Sequence, residues 1–371
     1  MNVPLFDLRP MNEAVKPAVE AAVRRVLDSG QYILGPDVAA FEAACSKFLG
    51  APYAIGVSSG TCALVTSLAS LGIRLGDEVI VPSFTYGATA MAVRWTGARP
   101  VFADIDPETF NLSPESLAAA VTKRTRAAIP VHLYGRPADM GKIRAVCDDA
   151  GIEVVEDAAQ SFGAEAGGRQ TGTFGALGCF SFYPTKPLGG YGDAGLVTTS
   201  DDGLAKALRV IRTQGDEGGY RFERIGGNFR LDTLHAAALA VKLPFVEEWR
   251  AQRERAAGWY REAFGAAGLG DAVTLPADFP GGKHAWALYV IRAKNRNGLA
   301  AHLKAAGIGC GVYYPGPLHL QRAFADLGHE PGDFPASEKA CTEVLALPMF
   351  AGMQQDQVGA AVDAVAGFYR K

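Results

Sequence analysis

The chain has 371 residues, with 36 Lys and Arg against 39 Asp and Glu, and a net charge of −3. Its length corresponds to roughly two domains. The charge balance excludes a dedicated nucleic-acid binder, which carries a clustered basic excess, and the 49% of apolar residues exclude disorder. Glycine is the outlier, because 44 residues make about 12% against roughly 7% in average proteins.

Short apolar strands alternate with helical stretches over about residues 50–200. Residues 48–73 are predicted to form a buried strand, a turn and a helix. Further strands are predicted at 78–82, 100–105, 127–133, 152–156, 178–182 and 196–199. The helices between them are predicted near 61–73, 86–96, 114–122, 138–150 and 203–213. This alternation predicts an α/β domain with a largely parallel sheet, which binds ligands at the carboxyl ends of its strands.

The C-terminal part is predicted to be a smaller α+β domain. A long helix is expected over 230–265, followed by a Pro- and Gly-rich stretch near 274–282. After it we predict a strand at 287–292, a helix near 297–306, a strand at 309–313 and a last helix near 355–369. We place the large domain at 1–245 and the small domain at 246–371.

The six cysteines are scattered, without C-x-x-C or Cys/His zinc spacing, so neither a disulfide framework nor a metal site is predicted. The N-terminal MNVPLFDLRP lacks the basic and apolar regions of a signal peptide. The long uncharged run at 48–73 contains Ser, Thr, Gly and Pro, so we do not interpret it as a membrane span. These features favour a cytoplasmic protein.

An acidic residue ends one predicted central strand. In IEVVEDAAQSFGA, Asp157 follows an apolar run, and Gln160 comes one turn later. An Asp at this position caps a helix in many proteins. The alternative is a buried carboxylate that pairs with a cationic ring nitrogen, as the ring of pyridoxal phosphate (PLP) requires. Gln160 would then donate a hydrogen bond to the ring hydroxyl.

A single lysine follows the next predicted strand. Lys186 lies in GCFSFYPTKPLGGYGDAG among aromatic residues and glycines, with no other basic residue nearby. Most lysines are solvated, but burial in such a place lowers the pKa, as a Schiff-base lysine requires. Gly190, Gly192 and Gly195 match the dinucleotide fingerprint in form. These glycines precede a predicted strand instead of a helix, so we reject a dinucleotide-binding site here.

Two further segments are candidates for holding a cofactor. In GVSSGTCALVTSL, Gly60 and Thr61 begin an apolar helix, whose free N–H groups bind anions. Ordinary N-capping by Ser or Thr is the alternative. Ser181 is a candidate for the same phosphate. In VPSFTYGATA, Tyr86 follows a strand, and its ring is either a stacking partner for a flat cofactor or a packed aromatic.

In this order, the segments resemble the DegT/DnrJ/StrS group of PLP-dependent nucleotide-sugar aminotransferases. The resemblance covers nearly the whole chain and includes SGQYILGPDVAAFE, PSFTYGAT, VVEDAAQSFGA, SFYPTKPLGGYGDAG, GGNFRLD and YYPGPLHLQ. It implies the PLP-dependent transferase fold type I, with a mostly parallel mixed sheet flanked by helices and a small α+β domain.

The resemblance assigns roles to individual residues. It implies that Lys186 and Asp157 are catalytic, Lys186 as the lysine that binds PLP covalently and Asp157 as the partner of the ring nitrogen. The implied cofactor-binding set also contains Gly60, Thr61, Tyr86, Gln160, Ser181 and Asn228. Asn228 is implied to reach the phosphate of the neighbouring subunit, which predicts a homodimer with shared active sites. A lysine at position 186 also distinguishes the chain from related sugar dehydratases, which have histidine there.

The substrate is expected to be a nucleotide-linked keto sugar, with L-glutamate as the amino donor. The sequence around Lys186, FYPTKPLGGYGDAG, resembles that of the family members that aminate C-3 of the sugar. Within that branch, enzymes for uronic acids often have His at the position of Tyr313 in VYYP, so Tyr313 favours a dTDP-3-keto-6-deoxyhexose. Arg230, Tyr313, Tyr314 and His319 are candidate substrate contacts. Alternatives are a UDP-linked 3-keto sugar, a nucleotide-linked 4-keto sugar, an inosose, or a PLP-binding regulator without turnover.

Overall fold

The computed structural model describes residues 1–370, in which helices and strands alternate along most of the chain. The strands are β1 (Tyr53–Val57), β2 (Glu78–Pro82), β3 (Arg99–Ala103), β4 (Thr125–Ala128), β5 (Glu153–Asp157), β6 (Glu165–Ala166), β7 (Arg169–Gln170), β8 (Leu177–Ser181), β9 (Gly195–Thr199), β10 (Val273–Thr274), β11 (Gly282–Lys283), β12 (Tyr289–Ala293) and β13 (Val344–Leu347). The α-helices are α1 (Arg9–Ser29), α2 (Pro36–Leu49), α3 (Gly60–Ser70), α4 (Ala88–Trp95), α5 (Pro114–Ala120), α6 (Met140–Ala150), α7 (Asp202–Ile211), α8 (Thr233–Lys242), α9 (Val246–Ala267), α10 (Arg296–Ala305), α11 (Pro335–Glu343) and α12 (Gln355–Tyr369).

The large sheet has seven strands in the order β1-β9-β8-β5-β4-β2-β3. Only β9 runs antiparallel to its neighbours, so the other six strands share one direction. Their carboxyl ends therefore meet at one edge. The segments that follow β1, β2, β5 and β8 are brought together there, as expected for a doubly covered α/β sheet.

Helices cover both faces of this sheet, which explains the apolar residues at successive positions of its strands. In β2, Val79 and Val81 pack with α3 and α4 in one buried cluster. Ile80 points to the opposite face and packs with α5 and α6 in another. Successive side chains of a strand alternate between faces, so a sheet buried on both sides requires apolar residues at every position. The predicted α/β fold with a mostly parallel mixed sheet is confirmed.

A smaller antiparallel sheet, β10-β12-β13, forms the C-terminal unit. On one face of this sheet, the buried side chains form a cluster with α9, α10 and α12. The ring of Tyr260 in α9 stacks on Tyr289 in β12 at a centroid distance of 4.4 Å, and its hydroxyl donates to the carbonyl of Pro348 at 2.9 Å. In a third sheet, β11-β6-β7, the short hairpin of β6 and β7 pairs with β11 and so joins the two parts of the sequence.

The single helix predicted over 230–265 is wrong. Arg230 pairs with Val57 in an isolated bridge, and the helical part is divided into α8 and α9 by a 3-10 turn, Leu243–Phe245. Pro244 lies inside that turn and has no N–H to donate, which interrupts an α-helix. The domain boundary between residues 245 and 246 stays a prediction.

Two strand predictions differ from the structure. The strand expected at 309–313 is absent, and the segment is paired only through bridges of Ile308 with Val3 and Gly311 with Ala346. The neighbour of β12 is instead β13, a segment for which we predicted no strand. The strand expected at 127–133 ends at Ala128 as β4, two residues before Pro130, which cannot donate to a ladder.

Within residues 1–370, no helix combines the length and the apolarity that a bilayer crossing requires. All six cysteines are free thiols, and four of them are buried.

Candidate active site

A cavity of about 590 Å³ opens where the parallel strands end. Its walls come from the segments after β1, β2, β5 and β8, and from the loop after residue 312. Nine of the predicted site residues line it: Gly60, Thr61, Tyr86, Asp157, Gln160, Ser181, Lys186, Tyr313 and Tyr314.

Lys186 lies on a tight turn after β8. Its backbone N–H donates to the carbonyl of Tyr183 at 2.8 Å. Gly189 allows this turn to close, because a Cβ atom there would lie 2.0 Å from the carbonyl oxygen of Pro184. Burial lowers the pKa of Lys186 to about 8, while the charge of Asp157 acts in the opposite direction. An amine with such a pKa is neutral often enough near pH 7 to act as a nucleophile or base.

Asp157 is the last residue of β5 and is buried. Its carboxylate accepts hydrogen bonds from the Thr89 hydroxyl at 2.8 Å and from the Ala159 N–H at 3.2 Å. Burial raises the pKa of Asp157, whereas these bonds and the charges of Lys186 and His132 lower it. A buried carboxylate is stabilised by a cation beside it, and a protonated ring nitrogen is such a cation.

The start of α3 provides an anion site within the same cavity. The Ser59 hydroxyl caps the helix by accepting from the Cys62 N–H at 3.1 Å. Ser181 lies so close that a Cβ atom on Gly60 would approach its Cβ to 2.7 Å. The first N–H groups of a helix and its dipole attract a phosphate. Gly60 leaves the space that a phosphate and the Ser181 hydroxyl share.

Gln160 is held by two hydrogen bonds at the cavity wall. Its carbonyl oxygen accepts from the Tyr134 N–H at 2.7 Å, and its amide nitrogen donates to the Tyr314 hydroxyl at 3.2 Å. The rings of Tyr314 and Tyr86 lie 6.1 Å apart. Tyr86 is 62% exposed, so it forms the open rim of the cavity and offers a face to a flat ligand.

A site of this composition can be assigned to a protein family by comparison of the whole sequence. The sequence profile of the DegT/DnrJ/EryC1/StrS aminotransferase family matches residues 14–366. The chain belongs to this family. The prediction from the sequence motifs is confirmed, and the chain is an aminotransferase with PLP as its cofactor.

Three relatives are similar to this chain over almost their full length. The aminotransferase is 44% identical over 370 residues to a pleiotropic regulatory protein of Geobacillus stearothermophilus, covering 100% of this chain and 99% of that protein. It is 45% identical over 347 residues to a UDP-2-acetamido-2-deoxy-3-oxo-D-glucuronate aminotransferase of Pseudomonas aeruginosa, covering 94% of this chain and 95% of that enzyme. It is 42% identical over 364 residues to a dTDP-3-amino-3,4,6-trideoxy-alpha-D-glucose transaminase of Streptomyces venezuelae, with coverages of 98% and 95%.

Two solved structures are similar to this chain over nearly its whole length. DesV of Streptomyces venezuelae, in complex with a ketimine intermediate, superposes with a TM-score of 0.96 at 41% identity, covering 100% of this chain and 99% of that chain. NtdA of Bacillus subtilis, with bound cofactor PMP, has a TM-score of 0.90 at 28% identity, with coverages of 99% and 85%.

The residues of the aminotransferase fit PLP. The cavity combines a buried carboxylate at Asp157, a lysine of lowered pKa at Lys186, and a helix N-terminus whose glycine leaves room for a phosphate. Each of these groups complements one part of PLP: the ring nitrogen, the aldehyde and the phosphate.

Three predicted site residues do not line the cavity. Asn228 is exposed, and its backbone pairs with Thr213. Arg230 is partly buried, and its Nε has no hydrogen-bond partner in the described chain. His319 is fully buried, and its Nδ1 atom lies 2.6 Å from the Ser83 hydroxyl. It therefore stabilises the turn before Tyr86 and does not line the cavity.

The structure adds cavity residues to which we assigned no role, among them Phe6 and Tyr183. Tyr183 lies three residues before Lys186 in SFYPTK, so its position in the sequence could have indicated that it lies near the cavity. Nothing in the sequence connects Phe6 with the site. Arg136 lies outside the cavity wall and donates to the backbone carbonyls of Ala277 and Asp278.

Gly60→Ala is expected to weaken PLP binding by about tenfold, because the new methyl group pushes Ser181 toward the phosphate site, and overpacking of this kind costs about 1–3 kcal/mol. The measurement is a PLP titration of the apo-protein followed by fluorescence. Gly265→Ala on α9 is the matched control, since a Cβ atom there meets nothing within 4 Å. Equal PLP affinity in the two variants would contradict the phosphate assignment.

Proposed function

We propose that this aminotransferase transfers an amino group from L-glutamate to a nucleotide-linked 3-keto sugar by a ping-pong mechanism, in amino-sugar biosynthesis. The observation that carries the proposal is the placement of Lys186, with its lowered pKa, in one cavity with the buried Asp157 and the N-terminus of α3. A site of this composition provides a base, a partner for a ring cation and a phosphate anchor.

Bound PLP supplies an electron sink for the negative charge that develops at the carbon next to the transferred nitrogen. Asp157 would hold a proton at the ring nitrogen by accepting its hydrogen bond, which keeps the sink effective. The Nζ atom of Lys186 would remove the proton from the α-carbon of the amino donor and deliver it to the cofactor carbon that carries the transferred nitrogen. In the second half-reaction it would move a proton in the opposite direction, onto the sugar carbon that receives the nitrogen. The N–H groups at the start of α3, with Ser181, would hold the phosphate, and Tyr86 would offer its face to the ring.

Within the keto sugars, we favour a dTDP-3-keto-6-deoxyhexose. Support comes from Tyr313 in VYYP and from the likeness to the dTDP-3-amino-3,4,6-trideoxy-alpha-D-glucose transaminase of Streptomyces venezuelae. A UDP-linked 3-keto sugar is the second candidate, because the identity to the Pseudomonas aeruginosa enzyme is slightly higher. Arg230, Tyr313 and Tyr314 are proposed as substrate contacts.

We further propose that the protein is a cytoplasmic homodimer with shared active sites. Asn228 is exposed at the end of a segment whose apolar side chains also face solvent in the single chain. Phe222 is 63% exposed and Ile225 is 95% exposed. Large apolar side chains exposed together are typical of an interface, and a second subunit over this segment would receive Asn228 at its cavity.

Addition of L-glutamate to the purified protein is expected to bleach the absorption band of bound PLP and to release 2-oxoglutarate in stoichiometric amount. Lys186→Ala should abolish turnover, because no other residue is assigned to move the α-proton. Lys206→Ala, at an exposed lysine of α7, should behave as wild type. Normal turnover in Lys186→Ala would end this proposal, and an unchanged spectrum with glutamate would favour the regulator without turnover.

The second half-reaction of the same experiment identifies the keto substrate. The glutamate-treated protein is mixed with dTDP-3-keto-6-deoxyhexose, a UDP-linked 3-keto sugar, a nucleotide-linked 4-keto sugar and an inosose. Recovery of the PLP band is expected to be fastest with the dTDP-linked 3-keto sugar. Faster recovery with the UDP-linked sugar would move the assignment to the second candidate.

The shared site predicts that two inactive variants complement each other. Lys186→Ala and Asn228→Ala are each expected to have little activity. Hybrid dimers of the two contain one intact site, so co-expressed subunits should recover about one quarter of wild-type activity by random pairing. Activity of the co-expressed mixture that does not exceed the average of the two variants would show that Asn228 acts within its own chain.

A further inference from the structure

Two positive charges are buried outside the proposed active site. Lys242 at the end of α8 is 1% exposed, and Arg253 on α9 is 4% exposed. Lysine and arginine are almost never buried to this degree unless they are paired. The mechanism uses neither residue.

Within the described part of the chain, Lys242 has only neutral partners, and one nitrogen of Arg253 has none. Lys242 Nζ donates to the side-chain oxygen of Asn12 at 3.0 Å. It also lies 4.7 Å from the ring centroid of Tyr191 and 5.8 Å from that of Trp249. The Nη1 atom of Arg253 is buried without a hydrogen-bond partner in residues 1–370.

No carboxylate compensates the two charges. Among the described residues, neither Lys242 nor Arg253 forms an ion pair. Burial, together with the charge of Arg253, lowers the pKa of Lys242 to about 8, and burial lowers the pKa of Arg253 to about 10. Both groups therefore remain mainly protonated at pH 7. Lys242 Nζ lies near the ring of Trp249, and Arg253 follows Trp249 by one turn on the buried side of α9. Two like charges in the same buried region are unfavourable without a counter-ion.

We propose that Lys242 and Arg253 bind one small inorganic anion of the size of chloride between α1, α8 and α9. The anion accepts from the otherwise unpartnered Arg253 Nη1 and neutralises part of the charge of Lys242. It is small because the surrounding side chains, such as Trp249, are closely packed and buried. It is not a carboxylate of a second subunit, because both cations are already buried within the single chain.

This anion site supports the wall of the active site. Tyr191, whose ring lies over Lys242, belongs to the glycine-rich loop that follows Lys186. Asp193, two residues further on, lines the cavity. An anion that fixes Lys242 also fixes the ring on top of it, so the site stabilises the loop between the catalytic lysine and β9.

The direct test is a crystal of the PLP-loaded protein soaked in bromide, with diffraction data collected at the bromine absorption edge. An anomalous peak in contact with Lys242 Nζ and Arg253 Nη1 is expected. Anomalous density absent from this place, with an ordered water between the two cations, would overturn the proposal.

A second measurement works in solution and includes a matched control. At constant ionic strength, replacing gluconate by chloride is expected to raise the melting temperature of the PLP-loaded protein by on the order of 2 °C. The Lys242→Met/Arg253→Met double variant should lose this dependence, whereas Arg255→Met, at an exposed position of α9, should keep it. The proposal fails if the double variant responds to chloride as the control does. If the double variant does not fold, the bromide peak in the wild-type protein decides.

Discussion

The site depends on one electrostatic constraint, the burial of Asp157 and Lys186 in the same cavity. Burial raises the pKa of the carboxyl group and lowers the pKa of the amine, and each charge opposes the effect of burial on the other. The amine therefore stays reactive without losing its proton entirely, and the carboxylate stays ready for a ring cation. Asp157 ends β5 and Lys186 lies on the turn after β8, so the parallel arrangement of these two strands places the groups in the same cavity.

The rest of the large unit maintains this arrangement. The antiparallel β9 returns the chain so that Gly195 lies against Ser59. Part of the glycine excess lies where the backbone approaches another segment closely, as at Gly60 and Gly189. Bare backbone at these positions lets a phosphate, a lysine turn and a helix end occupy one small space.

Much of this was predictable from the sequence, because both the sheet and the site depend on short segments. Apolar runs identify buried strands; Asp157 ends one such strand, and Lys186 lies five residues after the end of another. Contacts between distant segments were not predictable in this way. His319 lies 236 residues from Ser83, and only the fold shows that this histidine supports the turn before Tyr86 instead of lining the cavity. Lys242 likewise resembles a surface lysine in the sequence, since a single charged residue carries no sign of its burial.

The coupling between Asp157 and Lys186 determines the pH dependence of PLP incorporation into the apo-protein, which is therefore the measurement to make. Only the neutral amine of Lys186 attacks the aldehyde, so the rate should rise about tenfold per pH unit at low pH and level off above about pH 8. Asp157→Asn removes the charge that raises the pKa of the amine and should move the midpoint to lower pH. A midpoint near that of an ordinary lysine, or one that does not respond to Asp157→Asn, would contradict the coupling of the two residues.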